Sequence, residues 1–461
     1  MSQETKKLEP GKFIVHQMII LSVQNIDIRH HYEEINIYED LFTSTYHGTI
    51  AVSDAVNLIS GTNALPILGH EDILISLEIP NVNLSQKIDG YSEEGEENLS
   101  IGNRLLNLKA KITNIESRKL FNEGTQQYII HFIQEELVMD QKTRISKSYM
   151  NMTYKNMINT ILKELSPTND RKILEDTRYT YNFISPNWNP LKAVNWLTQR
   201  SIPTRYSGSS FFFYTTIYNK DINPPNGEET NYFFLRSLED MLVDDIQRRI
   251  FFIPANIRSN IKNTYDAKDF SNITTYEVIS SFDILDNLNG GFYANKLITH
   301  DIINKKYNVT TFNYEDSFPL YKHLHKGKQL GIKLDYFNRR LSDYPDANIK
   351  MYSKDNALSE NHIEKVTHSK LSQLMSIHNF RIRFILPGDG RLSVGDKVKF
   401  IFPSPEPKTT EPTKDQFYTG KYLVTSIRHV FRSEKYEVAI ECAKETYKTD
   451  VNEFVPVALQ G

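Results

Sequence analysis

Few runs in this chain carry residue types that could do chemistry. His30-His31-Tyr32-Glu33-Glu34 is the densest polar cluster and the first place to look for a metal. Metal ligands on a helix recur at i and i+4, and a tetrahedral site needs side chains that converge. Neighbours on a strand point to opposite faces, so this run reads as a solvated loop. His362 and His368 stand six apart and fall on different faces of a helix. Cys442, the only cysteine, alternates with Ile440 and reads as buried filler rather than a nucleophile. Glu93-Glu94-Gly95-Glu96-Glu97 offers carboxylates in number, but a Gly-centred polar loop does not hold two of them at catalytic separation. Ser207-Gly208-Ser209-Ser210-Phe211 is a strand entry, and neither a Gly-x-Ser-x-Gly elbow nor a P-loop occurs. Asp54 and Asp301 close two strand patterns. They are expected to cap short helices, and the alternative is an interface contact made twice. The expectation is therefore no catalytic, cofactor-binding or metal-ligating residue and no enzyme.

The elements that surround these residues are mostly strands. With 461 residues the chain has room for three or four domains. Its formal charge of −3 gives no global basic field to draw nucleic acid. One cysteine excludes a disulfide scaffold and suits a reducing compartment. The N-terminus lacks the apolar core of a signal peptide, and the run Met18–Val23 is too short to span a bilayer, so no membrane insertion is expected. The 26 Tyr and 25 Phe favour strands and broad packed interfaces over a helical bundle.

Period-two alternation predicts strands at Lys12–Gln24, Tyr32–Asp40, Tyr46–Asp54, Asp72–Ile79, Leu106–Glu116 and Gln127–Gln134. Asn81–Gly102 lacks periodicity and reads as an exposed acidic loop. Asp54–Ser60 reads as helical turns stopped by Gly61. Helical spacing marks Thr153–Leu165, and Asn189-Pro190 opens a second helix with Asn as cap and Pro in the first turn. Strands at Ser207–Tyr214 and Asn231–Leu235 complete a small α/β unit. Further strands are expected at Arg249–Ile253, Thr275–Leu285, Phe292–Asn304 and Asn308–Asn313, and a helix at Glu360–His378. Arg381–Cys442 alternates through four strands and reads as an antiparallel meander, broken by a Pro-rich loop at 403–416.

The chain also echoes itself. An ungapped shift of 247 sets Ile37 on Ile284, Tyr46 on Tyr293, Ile50 on Leu297, Asp54 on Asp301 and Asn57 on Asn304. At another offset Ala110–Ile115 parallels Tyr422–Ile427, and Tyr128–Phe132 parallels Tyr436–Ile440. The fold class is therefore α+β and β-rich: two similar antiparallel β-barrels, a small α/β domain between them, and an insertion in the second. The boundaries are 1–149 for the first barrel and 150–243 for the α/β domain. The second barrel takes 244–304 and 375–447, with 305–374 inserted and 448–461 a tail.

In this order the blocks resemble the baseplate hub proteins of contractile-tailed phages, and more distantly the hub portion of type VI secretion spike proteins. The carrying residues are Ile37–Phe42 with Tyr46–Asp54, Leu65–Glu71, Pro190–Leu197, Ser209–Tyr214, Leu235–Glu239, Leu386–Asp389, Leu392–Asp396 and Gly420–His429. The resemblance implies the tail-hub fold and a homotrimer whose ring of similar barrels adapts a six-fold tail tube to a three-fold spike. It implies as partners a central spike or tail-lysozyme-type protein and a tail tube or tube-initiator protein. Tape measure protein or DNA would pass through the lumen, and the location would be the tail baseplate of a virion assembled in the host cytoplasm. A lysozyme activity would need its own domain, and no segment is left for one. The alternatives are the hub of a non-phage contractile injection system, or a tail-associated binding or adhesin module.

Overall fold

In the computed structural model the described residues run from 9 to 447, without residue 10, 60–66, 85–98, 123, 168–169, 220–227, 252–272, 274, 328–334, 354–361, 403–414, 416 and 434. Gly61, Glu93–Glu97, nearly all of the Pro-rich loop and the tail 448–461 lie outside them. The first strands are β1 (Ile14–Leu21), β2 (Ile26–Asp27), β3 (Tyr32–Asp40), β4 (His47–Asp54), β5 (Asp72–Leu84), β6 (Leu99–Asn122) and β7 (Thr125–Gln134). A mixed stretch follows: α1 (Glu135–Lys142), β8 (Ser148–Met152), α2 (Tyr154–Leu165), β9 (Lys172–Leu174), β10 (Tyr181–Ile184), α3 (Pro190–Thr198), β11 (Phe211–Thr216), β12 (Tyr232–Ser237) and α4 (Leu238–Val243). Then come β13 (Ile246–Phe251), β14 (Thr275–Ser280), α5 (Ile284–Gly290), β15 (Ala294–Asp301), β16 (Lys306–Asn313), α6 (Tyr314–Ser317), β17 (Ile349–Ser353) and α7 (Ile363–Asn379). The chain closes with β18 (Arg381–Pro387), β19 (Lys397–Ile401), β20 (Gly420–Arg432) and β21 (Lys435–Ala443). The structure is β-rich and mostly antiparallel. The two ends of the acidic stretch 81–102 are extended and paired, Asn81 opposite Gly102 and Leu84 opposite Leu99, so the hairpin is longer than the alternation alone indicated.

One sheet of 13 strands holds both ends of the chain. Apart from the two-residue β2, which pairs with β1, it divides into two six-strand sets with the same order of neighbours. The first runs β3-β4-β7-β6-β5-β1 and the second β14-β18-β21-β20-β19-β13. Each set uses its strands in the same chain order. They differ at one edge, where β1 lies antiparallel to β5 but β13 lies parallel to β19. Among the described residues no pairing closes either set into a barrel. Arg381–Cys442 forms the four expected strands but not a meander. The hairpin β20–β21 lies between β18 and β19. Alternation states which face is buried, not which neighbour is chosen.

The register fixes the repeat. In β6 a bulge falls between Ile112 and Asn114, and in β20 one falls between Val424 and Ser426. The extra residue is a threonine each time. Thr113 Oγ1 donates to the carbonyl of His131 at 3.3 Å, and Thr425 Oγ1 to that of Glu441 at 3.1 Å. Ile115 stands opposite Ile130 as Ile427 stands opposite Ile440, so Tyr128 matches Val438 and the sequence alignment of this hairpin slips by two residues. A two-residue slip keeps every side chain on its face, which is why alternation does not detect it.

The shift of 247 is not the structural one. Ile284, set against Ile37, opens helix α5. Tyr293 leads into β15, which belongs to a separate three-stranded sheet with β16 and β17 rather than to the sheet that the stretch 244–304 was to join. The ladder instead matches Tyr46 with Phe380. The Tyr46 carbonyl accepts from the Gln134 amide at 3.2 Å, and the Phe380 carbonyl from the Lys444 amide at 3.0 Å. Ile35 and Ile37 then match Tyr276 and Val278, through Ile50 with Phe384 and Gly48 with Ile382. Gly48 has no room for a side chain, since a Cβ there would lie 2.2 Å from the Phe132 ring. Between β14 and β18 the chain carries α5, the three-stranded sheet and α7.

Asp54 and Asp301 do not cap helices. Each ends a strand and turns its carboxylate onto the following backbone, Asp54 accepting from Val56 N and Asp301 from Ile303 N and Asn304 N, each at 3.0–3.1 Å. Asp followed two or three residues on by a free N–H makes this Asx turn as readily as a helix start. The α/β unit has a core of its own around Ile158, Ile161, Val194, Leu197 and Leu235. Its strand β12 pairs antiparallel with β11 and parallel with β9. Pro190 opens α3 as expected, but Asn189 does not cap it. Asp140, carried in by α1, accepts from the Leu191 amide at 2.6 Å, while Asn189 Nδ2 donates to the Asp140 carbonyl at 2.9 Å.

The duplicated bulge is testable. Thr425→Val keeps the shape and removes the buried donor, so it should lower the unfolding free energy in urea by about 1 kcal/mol. Thr113→Val, at an exposed position, should cost about 0.5 kcal/mol or less.

Candidate functional site: the junction of the two half-sheets

The two sets meet along one strand pair. The early part of β20 gives its outer edge to β19, Leu423 opposite Lys397 and Gly420 opposite Phe400. Beyond the bulge the same edge is taken by β3, in seven pairs from Ser426 opposite Asp40 to Arg432 opposite Glu34. Residues 392 positions apart in the chain are thereby joined by a continuous backbone ladder.

Period two sorts the junction into two faces. The inner face carries Ile35, Ile37 and Glu39 from β3 with Ile427, His429 and Phe431 from β20, all buried. Glu39 and His429 are the exceptions in this apolar row. His429 Nε2 meets Glu39 Oε1 at 2.9 Å, and His429 Nδ1 meets the Tyr436 hydroxyl at 2.8 Å. Burial, aided by the charges of Asp389 and Glu39, holds the Tyr436 phenol well above its ordinary range, so it stays neutral. The second oxygen of Glu39 is buried without a hydrogen bond. Tyr218 packs edge-on to His429 at 6.3 Å and donates to the Asp389 carbonyl at 3.2 Å. Arg104 lies over the Tyr218 ring and donates to the carbonyls of Asn219 and Gly390 at 3.2 and 3.0 Å. The Gly390 amide in turn donates to the Pro80 carbonyl at 2.7 Å. The loop between β18 and β19 is therefore bound to the first half as well as the second.

The outer face is a charged latch. Glu34 pairs with Arg432 and with Arg428, the latter at 3.4 Å, and Arg428 Nε also donates to Asn36 Oδ1 at 2.9 Å. Tyr38 lies beneath the Arg428 guanidinium and stacks on His47. Burial alone would raise the Glu34 carboxyl, but hydrogen bonds from Asn36 and Arg432 and the two arginine charges outweigh it, and its pKa is lowered. The arrangement binds two parts of one chain; it does not present convergent groups to a substrate.

The residues singled out by type lie elsewhere and apart. His30 and His31 sit in a turn, but Tyr32, Glu33 and Glu34 of the same run open β3 rather than extend a loop, and Glu33 accepts from Gln127. His362 stacks on Tyr179, while His368 bonds Thr310 Oγ1 at 2.8 Å and stacks on Phe312. Cys442 is fully buried on β21. Among the described residues no group of three or more His, Cys, Asp or Glu is placed to hold a metal, and no helix is long and apolar enough to cross a membrane. Glu39, His429 and Tyr436 were missed. The available signal was phase: Glu39 continues the inward series of Ile35 and Ile37, and His429 that of Thr425 and Ile427.

Two outcomes test the junction. Glu39→Leu leaves His429 buried with one partner fewer and should cost about 1–3 kcal/mol in urea unfolding; adding His429→Leu should recover much of that, which a double-mutant cycle reads directly. The depressed Glu34 pKa contributes stability that is fully present above its ordinary carboxyl range and is lost as pH falls through the folded value. Glu34→Gln should flatten that acid limb, by about 0.2–1 kcal/mol because both arginines are well exposed.

No family model matches the sequence, and no curated protein matches it. Solved structures do match its fold. The 43 kDa tail protein of prophage MuSo2 from Shewanella oneidensis aligns with a TM-score of 0.51 at 8% identity, covering 93% of this chain and 98% of its own. The tail protein from Neisseria meningitidis MC58 gives 0.50 at 8%, covering 95% and 99%. The E. coli c3393 protein, a component of the type VI secretion system, gives 0.42 at 8%, covering 97% and 79%. Over more than nine-tenths of its length, this chain has the fold of the two tail proteins.

Proposed function

We propose that the chain is the structural hub of a contractile phage tail baseplate, a homotrimer that adapts a six-fold tube to a three-fold spike. The observation that supports it most is the duplicated six-strand set, joined edge to edge within one chain. A chain that contributes two similar units to a ring presents near-six-fold symmetry on one face while remaining three-fold in its own copies. The tail-protein fold over the whole chain agrees with this reading. The two half-sheets would complete hub barrels, and the α/β unit of 150–243 and the segment between β14 and β18 would lie outside them.

The partners on this reading are a spike or tail-lysozyme-type protein on one face and a tube or tube-initiator protein on the other, in the baseplate of a virion assembled in the host cytoplasm. Tape measure protein or DNA would pass through the lumen. A lining dense in Lys and Arg would hold phosphates and impede transit, so a mixed or mildly acidic lining is expected. The role is non-enzymatic. The same features would serve the hub of a non-phage contractile injection system; a tail-associated adhesin would need a binding tip, for which no observation speaks.

Cryo-EM of the purified chain decides the matter. Three-fold particles with a central channel and six similar barrel units around it are expected. A monomer or a two-fold dimer at every concentration tried would overturn the hub reading.

A further inference from the structure

Among the described residues, the counterparts of the β3–β20 junction are not paired with each other. In the duplicated topology β14 takes the place of β3 and β6 that of β20, yet β14 and β6 are not neighbours within the chain. β14 ends the sheet with β18 as its strand partner, and β6 beyond Lys111 pairs with β7 alone among the described residues. Exposure tells the same story. Ile37 and Phe431 are 0% exposed in the made junction, while their equivalents Val278 and Leu120 are 39% and 70% exposed.

We infer that the Glu116–Leu120 edge of β6 pairs antiparallel with β14 of a second copy of this chain, repeating between chains the junction that β20 and β3 make within one. The register follows from the internal one. Leu120, opposite Gln126 as Phe431 is opposite Tyr436, faces Tyr276, the equivalent of Ile35. Lys119, opposite Gln127, takes the place of Val430 and faces Glu277, the equivalent of Asn36. Arg118 adjoins it in a second bulge of β6, so a basic pair meets an acid. On β14 the exposed Val278 and Ile279 make an apolar edge of the kind that invites such pairing. The donor edge and the acceptor edge differ, so the contact is heterologous, and it makes a ring where its rotation closes and a filament where it does not. Closure at three copies rests on the hub reading; the strand pairing and its register do not.

A disulfide across the junction tests it, since Cys442 is buried and does not compete. Residues directly opposite on antiparallel strands bring their Cβ atoms close enough to be bridged. The Lys119→Cys/Glu277→Cys chain, oxidised and run without reductant, should give covalent dimers and trimers, no longer ladder, and monomer again on reduction; either single variant should give none. Both positions are exposed, and unchanged thermal unfolding of the reduced variant checks that it folds. In a second measurement, Lys119→Glu should weaken association in sedimentation by about tenfold or more, and Glu277→Lys in the same chain should restore it. Three-fold particles without the cross-link and without the charge rescue would overturn this contact and leave the hub reading standing. A chain that sediments as a monomer throughout and gives no cross-link would overturn both.

Discussion

The sheet depends on how β20 divides its outer edge. A buried strand must have its N–H and C=O groups paired on both sides. β20 has β21 along one side from Leu423 to Arg432, but on the other side β19 reaches only Gly420 to Leu423. The rest is completed by β3, from the other end of the chain. Without that strand, a row of backbone groups flanked by Ile427, His429 and Phe431 would face solvent. The first and second halves are thus joined by obligatory hydrogen bonds rather than by side-chain packing alone.

The bulge makes this division possible. An extra residue in one strand increases its local twist and bends it. At Thr425 the bend falls where the partner changes from β19 to β3, and the threonine hydroxyl ties the bulged backbone to the neighbouring strand. Thr113 marks the same place in β6, just past the end of β5. The two halves therefore share a joint as well as a strand order, and this joint prepares an edge for a partner outside the set.

Specificity at the junction comes from its polar residues. Between apolar surfaces alone, a two-residue slip of β3 on β20 would keep the faces in phase. Glu39 and His429 forbid it, because a slip would leave both buried without each other. On the solvent side Glu34, Asn36, Arg428 and Arg432 read the same register. These residues set which pairing forms, and they act on assembly rather than catalysis.

Local structure was legible in the order of residues. Alternation placed most strands to within a few residues, since one buried face dictates the period; helical spacing placed α2 and α7; and the blocks in order pointed to the fold of phage tail proteins. The echo between Ala110–Phe132 and Tyr422–Ile440 was visible because a bulged hairpin carries Ile-Thr-Asn-Ile and Val-Thr-Ser-Ile at corresponding points. Which strands are neighbours emerges on folding alone. Tyr46–Asp54 and Tyr293–Asp301 are alike as isolated strands with an aromatic lead-in and an Asx turn, yet they lie in different sheets. The ladder itself is made by backbone groups that every residue shares, so apart from a few register-setting polar residues the choice of neighbour leaves little trace in side-chain types. For the same reason Glu39 and His429, 390 positions apart, became a site only when β3 met β20.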